Sequence, residues 1–380
     1  MADYTLVEVK DKKCLKEFIR FPDRLYKDCA QYVPALHSDQ MKTLTRDAAL
    51  DYCTHRMWMV RDGRQVVGRI CAMVNPRYNE RYGKKCVRFG WFDCIDDGTV
   101  AGMLLSAAEN WGREQGMDTI HGPLFFNTLG KQGMLVEGFG NIPPFNCLYN
   151  YPYYNRLVQD YGFEKECDWV QYRMDAAKGV PEKAERVARI IEQRYNLHFG
   201  SIDRLKKDPA MVRKFFHMYS DSFAGSVYNF IPFTEKEIDQ EAASILPFVS
   251  DKACVLVLDE NEEIVAFGIC TPSISKALQK ARGRLFPFGW YHLLRAMNDF
   301  SVTDLMINGA VPEWQNRGVS AMYYKEMAAK ARKIGMDDAI SNPQIETNSA
   351  ANIWNAYEDH TLFMRRRCYI KKIGETSYGK

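Results

Sequence analysis

Two stretches of this chain, 219 residues apart, read alike: Trp111-Gly112-Arg113-Glu114-Gln115-Gly116-Met117-Asp118 and Ala331-Arg332-Lys333-Ile334-Gly335-Met336-Asp337-Asp338. Each closes a helical pattern, places glycine where a left-handed helix cap falls, and runs into a short β-like segment, Thr119-Ile120 or Ala339-Ile340. The surroundings repeat as well. Residues 57–61 and 66–70 flank Asp62-Gly63, a strong hairpin signal, and residues 255–258 and 264–268 flank the turn Asp259-Glu260-Asn261-Glu262. A strand follows in each half, at 87–92 and 305–311. Gly-Met-Asp after a helix is commonplace alone; a shared order of helix, hairpin, strand, helix, strand, helix, strand predicts a duplicated domain. At 380 residues the chain exceeds one ordinary core, and the polar stretch 175–181 offers a seam, giving domains 1–175 and 176–380.

Bulk properties narrow the function class. With 46% hydrophobic and 26% charged residues the composition is that of a globular protein, and no run approaches the roughly 18–20 apolar residues of a membrane span. Met1-Ala2-Asp3-Tyr4 lacks a basic n-region and an apolar h-region, so no signal peptide is expected there. The eleven cysteines include no Cys-x-x-Cys pair, which predicts free, mostly buried thiols in a reducing cytoplasm and no metal site. A net charge of +3 is too balanced for a nucleic-acid binder and fits a protein acting on small molecules.

The segment Val311-Pro312-Glu313-Trp314-Gln315-Asn316-Arg317-Gly318-Val319-Ser320-Ala321 joins the strand-like run before it to a helical pattern at 322–334. Strand, tight polar turn, helix is the order that builds an anion site, because the first N–H groups of a helix lack partners and carry the positive end of its dipole. Gly318 lets the backbone approach a phosphate with no Cβ in the way. The corresponding turn of the first half reads Asp93-Cys94-Ile95-Asp96-Asp97-Gly98. Its carboxylates oppose an anionic ligand, or simply cap the following helix.

The Gln315-x-x-Gly318-x-Ser320 spacing resembles the acyl-CoA pyrophosphate loop of the GNAT acetyltransferase superfamily, with Ser320 where the pattern usually has glycine or alanine. With the duplication, the chain resembles a tandem-GNAT protein over nearly its full length. Residues 89–97, His121-Gly122-Pro123-Leu124 and Tyr149-Asn150-Tyr151-Pro152-Tyr153-Tyr154 resemble signatures of a bacterial group related to bacterial ceramide synthases, which acylate a long-chain amine from acyl-CoA. The resemblance implies a mixed α/β (α+β) fold of two GNAT-like domains. Each would be a mostly antiparallel mixed sheet flanked by helices and splayed at its fourth and fifth strands. It also implies acetyl-CoA or a longer acyl-CoA as co-substrate, cradled by Val311, Gln315, Asn316, Arg317, Gly318, Val319 and Ser320, with Asn348 on the pantetheine arm. The first domain would have lost the cofactor and serve as scaffold or substrate wall.

The reaction this implies is direct transfer of an acyl group to a primary, small-molecule or lipid-like amine, held in the cleft between the halves. Glu346, Glu313 and Asp304 qualify as bases by position, Glu346 being favoured beside Asn348. His121 and His292 are more remote candidates. Trp354 stands where many members carry a tyrosine as general acid, and Tyr357, one turn on, is the substitute. Two other readings compete: a non-catalytic acyl-CoA sensor, and a transferase using charged tRNA, which the near-neutral charge opposes. Residues 273–302 form an insertion whose part 276–295 mixes Lys276, Lys280, Arg282 and Arg284 with Phe286, Phe288, Trp290 and Tyr291. It would either contact an anionic membrane surface peripherally, roof an acyl channel, or pack as a helix–loop–helix on the sister domain. The sequence leaves the oligomeric state open.

Overall fold

In a computed structural model of the chain, the described residues are 3–128, 130–223, 227–315, 317–347 and 360–374. They divide into two units: unit 1 is Met1–Trp169, Ser275–His292 and Met364–Lys380, and unit 2 is Val170–Ile274 and Leu293–Phe363. The strands, in chain order, are β1 (Tyr4–Glu8), β2 (Thr54–Asp62), β3 (Gln65–Val74), β4 (Cys86–Cys94), β5 (Thr119–Gly122), β6 (Met134–Glu137) and β7 (Glu164–Asp175). Then come β8 (His198–Gly200), β9 (Val255–Leu258), β10 (Ile264–Pro272), β11 (Val302–Ala310), β12 (Asp338–Ser341), β13 (Gln344–Ile345) and β14 (His360–Lys372).

The sheet of unit 1 runs β1-β2-β3-β4-β5 and is extended by the C-terminal part of β14. Its β2–β3 hairpin turns at Asp62-Gly63, where Gly63 takes φ +55°, and pairs Thr54 with Val74 through to Asp62 with Gln65. β4 and β5 are parallel, Cys86 against Thr119 to Arg88 against His121, joined by the helix Gly98–Glu114. In unit 2 the same plan recurs as β8-β9-β10-β11-β12, closed by the C-terminal part of β7. Here β11 and β12 are the parallel pair, Val302 against Asp338 to Leu305 against Ser341, joined by the helix Ser320–Ile334. That helix ends on Gly335 at φ +69°, the left-handed cap expected of the glycine.

The contiguous halves read from the sequence, 1–175 and 176–380, are thus interleaved. Tyr369 pairs with Gly122 and Lys372 with Thr119, so the last strand satisfies the open edge of β5 in unit 1. Asp175 and Arg173 of β7 do the same for β12 in unit 2. An unpaired strand edge exposes a row of donors and acceptors, and each exchange covers one. The insertion, assigned by sequence to the second half, also packs within unit 1: Ser275 Oγ donates to Pro143 O at 2.8 Å, and the Gln279 amide donates to Ala30 O at 2.7 Å and Tyr32 O at 3.1 Å.

In unit 2, Val319 and Met322 at the start of the Ser320–Ile334 helix sink into a core of Val255, Val257, Val265 and Ile191. Val319 is fully enclosed, and burying a valine contributes about 1.5–3 kcal/mol. The turn before the helix is therefore fixed by packing on its C-terminal side. All eleven cysteines are free and nine are buried, where they pack as small hydrophobic side chains. No helix among the described residues is long and apolar enough to cross a membrane.

Candidate functional site

β11 carries the geometry that matters in unit 2. It pairs with β10 in the register Ala266–Ala310, Phe267–Gly309, Gly268–Asn308 and Ile269–Ile307, then jumps to Cys270–Leu305, so Met306 is an extra residue. A bulge of this kind bends a strand and re-aims its N–H groups. On its other edge β11 bonds β12 only as far as Leu305, whose carbonyl accepts Asn342 N–H at 3.0 Å. Beyond that point β11 stays with β10 while β13 pairs with β7, so the two parallel strands part and leave a V. Residues 306–310 along it are half-buried.

Val311 N–H donates to Val265 O at 3.0 Å, and Gln315 Nε2 to Ala310 O at 3.1 Å and Ser222 O at 3.3 Å. Donors alternate along an antiparallel strand, so with Val311 spent on β10 the N–H groups of Asn308 and Ala310 face the V. The turn Pro312–Trp314 leads to Gly318, which sits at φ +81° where a Cβ would be strained, and Arg317 lies 5.4 Å from the Trp314 ring centroid. The helix that follows has no side-chain cap and no acid in its first turn. Among the described residues no acceptor takes the N–H groups of Gly318, Val319 and Ser320. Donors at the positive end of a helix dipole suit an anion.

Unit 1 has the same bulge and the same parting of strands, beside a cavity of about 60 Å3 lined by Trp91, Asp93, Phe125 and Lys131. Its β3–β4 register skips from Arg69–Asp93 to Cys71–Gly90. Trp91, in the bulge at φ +46°, stacks on Phe125 with ring centroids 3.6 Å apart. The helix Gly98–Glu114 is capped by Asp97, which accepts from Thr99 N at 2.8 Å, Val100 N at 3.1 Å and the Tyr4 hydroxyl at 2.9 Å. Burial pushes the Asp97 carboxyl up, but those hydrogen bonds outweigh it and hold it below its ordinary value. Asp93 is enclosed by Arg69 Nη2 at 2.7 Å and the Tyr26 hydroxyl at 3.0 Å, and Asp96 pairs with Arg156. Arg69 and Tyr26, which complete this hub, gave no signal in the sequence, whereas Tyr154 belongs to the 149–154 motif. Asp97→Ala is expected to cost about 1 kcal/mol as a lost cap and to leave acyl-CoA affinity within twofold of the parent, read by thermal melting and ligand titration. A large loss of affinity would put the anion site in unit 1 instead.

Of the residues singled out by sequence, Gln315, Arg317, Gly318, Val319 and Ser320 come together around one turn, with Val311 at its base. Glu313 and Glu346 are both solvent-exposed, in the turn after β11 and the turn after β13. Asn316, Asn348, Trp354 and Tyr357 lie outside the described residues. His121 is wholly buried in unit 1, where burial holds it below its usual pKa, and His292 is half-buried on the insertion.

Asp304 is placed differently. It lies on β11 two residues before the bulge, 2% exposed, with both carboxylate oxygens unpartnered among the described residues. Burial pushes its pKa from 3.8 up to about 7, against a smaller opposing pull from the Ser273 hydroxyl. Thr271, opposite it on β10, is likewise buried with an unpartnered hydroxyl. An acid without a cation inside a core strand is costly as a structural element and useful as a base near neutrality. On the other face of β11, Leu305 lines a mainly apolar cavity of about 380 Å3 with Met174, Met327, Ala331, Met336 and Tyr324. Tyr324 also binds Asn308 at 2.5 Å, so this cavity abuts the V.

One group of metal-ligand types occurs among the described residues: His121, Glu166 and Cys368 in unit 1, with ligand atoms within 4.8 Å of one another. The Lys84 ammonium stands 3.6 Å from Glu166, and that carboxylate already accepts from His121 at 3.1 Å and Cys368 at 3.3 Å. Its charge is thus compensated without an ion.

Compared with solved structures, the chain is similar to a tandem GNAT protein from the clavulanic acid biosynthesis pathway, TM-score 0.57 at 11% identity, covering 99% of this chain and 100% of that one. A GCN5-related N-acetyltransferase from Sphaerobacter thermophilus matches with TM-score 0.52 at 10% identity, over 98% and 96% of the two chains. Bulged strand, open V and bare helix start, set in this duplicated frame, are the tandem GNAT fold. No protein-family model matches the chain. It is 30% identical over 290 residues to protein YghO of Escherichia coli (strain K12), spanning 75% of this chain and 72% of that protein. It is 29% identical over 300 residues to the bacterial ceramide synthase of Caulobacter vibrioides (strain NA1000 / CB15N), spanning 77% and 76%. The chain belongs to the family of protein YghO, and the relation to bacterial ceramide synthases suggested by its motifs holds.

Proposed function

We propose that the chain is an acyl-CoA-dependent N-acyltransferase whose chemistry takes place in the V of unit 2, with Asp304 as the base. The observation that carries this is the difference between two copies of one fold: in unit 1 the helix after the bulged strand is capped by the Asp97 carboxylate, whereas unit 2 keeps the helix donors bare. The CoA pyrophosphate would lie on the N–H groups of Gly318, Val319 and Ser320, and the pantetheine arm along residues 306–310. Asp304 takes a proton from the substrate ammonium, directly or through a water. The freed amine nitrogen attacks the thioester carbonyl, whose developing oxyanion accepts from the Asn308 and Ala310 N–H groups. Collapse breaks the C–S bond; the thiolate leaves and takes a proton, giving free CoA and an amide. The base moves from the exposed Glu346 and Glu313 to Asp304 because Asp304 is enclosed beside the bulged strand, whereas both glutamates face solvent.

A cavity of 380 Å3 falls within the roughly 300–1,000 Å3 of ordinary ligand sites and supports an acyl group longer than acetyl, with a lipid-like amine as acceptor. The relative named as a ceramide synthase favours the same choice. Acetyl-CoA and palmitoyl-CoA are to be titrated by thermal shift, then tested with short and long-chain primary amines for CoA release. Turnover with one of them is the expected result. Binding without turnover would mean an acyl-CoA sensor, and no binding of any CoA would defeat both readings. Ala331→Phe, which fills the cavity from the helix, is expected to lower the palmitoyl-to-acetyl ratio of kcat/KM at least tenfold.

A further inference from the structure

The insertion of unit 1 carries an exposed surface that transfer chemistry does not require. Four of the nine exposed large hydrophobic residues among those described fall within six positions: Phe286 at 78%, Phe288 at 69%, Trp290 at 45% and Tyr291 at 50%. Scattered surface hydrophobics are normal; a contiguous cluster marks a contact surface. The segment is also one-signed. Lys276, Lys280, Arg282 and Arg284 are all exposed, no Asp or Glu occurs from 276 to 298, and none of the four makes an ion pair among the described residues.

The tip is held out by its base. The helix Ser275–Ala281 is fastened through Ser275 and Gln279 to residues 143, 30 and 32, and Gly283 O accepts His37 N–H at 2.9 Å. At the tip, Trp290 N–H donates to Leu285 O at 2.9 Å and its indole donates to Pro287 O at 2.9 Å. Gly289 closes the turn so tightly that a Cβ there would lie 2.0 Å from Arg284 O. An ordered loop presenting Phe-Pro-Phe and Trp-Tyr above a belt of unpaired cations matches the interface of an anionic bilayer, where aromatic side chains enter the headgroup region and each cation near the surface adds about fivefold in binding.

We infer that residues 276–295 dock this protein peripherally on anionic phospholipid membranes, with Phe286, Phe288 and Trp290 inserted and the Lys276, Lys280, Arg282 and Arg284 side chains on the headgroups. A lipid-like amine would be met at that surface, yet the inference stands apart from the transfer reaction and is read without acyl-CoA. The full chain is to be sedimented with phosphatidylcholine vesicles, with and without phosphatidylglycerol. Binding is expected to require phosphatidylglycerol, to weaken as salt rises, and to fall at least tenfold in a Phe286→Ser/Phe288→Ser variant and in a variant with the four basic residues changed to Gln. All six positions are exposed, so both variants should melt as the parent does and bind acyl-CoA unchanged in the absence of vesicles. Vesicle binding that ignores phosphatidylglycerol, or that neither variant weakens, would overturn the inference. So would absence of binding together with a self-association, by light scattering, that the Phe variant abolishes: the patch would then belong to a second copy of this chain.

Discussion

Asp304→Asn should abolish acyl transfer, lowering kcat by roughly 10²–10⁴ with acyl-CoA affinity nearly intact, because general-base catalysis contributes about that much. The carboxylate sits two residues from the β11 bulge, off the turn where the pyrophosphate would lie, so its loss removes the proton acceptor and leaves the cradle. In the parent, kcat/KM should rise with pH through about 7 as Asp304 ionises, and the residual activity of the variant should lack that limb. A variant that keeps within threefold of parental kcat and the same pH profile would exclude Asp304 as the base and return the role to Glu346 or Glu313.

The same substitution has a stability signature of opposite sign. The folded pKa of Asp304, about 7, lies above the 3.8 of an exposed aspartate, so the unfolded chain gives up this proton first. Between those values the folded state binds more protons, and stability falls as pH rises; above 7 the whole cost is present, on the order of 4 kcal/mol. Asparagine does not titrate. The Asp304→Asn chain should therefore gain on the parent in denaturant midpoint as pH rises from 5 to 8, a stabilising change at the centre of an inactivated site. His121, held below its usual pKa in unit 1, contributes the reverse slope below about 6.5. It is common to both proteins and cancels in their difference. Loss of stability at both pH values would show that Asp304 carries a structural bond.

The order of elements was legible because it rests on local chemistry. Asp62-Gly63 makes a hairpin by backbone preference, and Gly116 and Gly335 end helices because they alone tolerate positive φ cheaply. Gly318 marked the anion turn for the same reason. What was hidden is non-local. Nothing within Met364–Lys372 says that this strand will pair with Thr119–Gly122, since any apolar-alternating strand fits any open edge. The insertion's place in unit 1 depends on backbone carbonyls at 30, 32 and 143, which every residue possesses. The acids of 93–97 could be read as a deterrent to anions, but their division among a buried Arg69 pair, an Arg156 pair and a helix cap needed the tertiary arrangement. Asp304 was visible as an acid in a strand. Its neighbours, Thr271 on β10 and Ser273 just beyond that strand, do not neutralise it, and only the register shows that.

Ser320→Asp is expected to weaken acyl-CoA binding at least tenfold, and up to about a hundredfold, without harming the fold. The aspartate would stand in the first turn of a helix that has neither a side-chain cap nor an acid there. For the protein alone that is favourable: a carboxylate at the positive end of the dipole contributes about 0.3–1 kcal/mol, so the melting temperature should hold or rise slightly. For a pyrophosphate on the same N–H groups it is unfavourable, since like charges a few ångströms apart repel by several kcal/mol at a partly buried site. Unit 1 already contains this experiment, with Asp97 holding the Thr99 and Val100 N–H groups. Ser320→Ala, which restores the small residue usual in such loops, should bind as the parent does. Measured by isothermal titration with CoA, a stable Ser320→Asp chain of unchanged affinity would mean that the bare helix start of unit 2 is not the cradle, and the proposed site would fall with it.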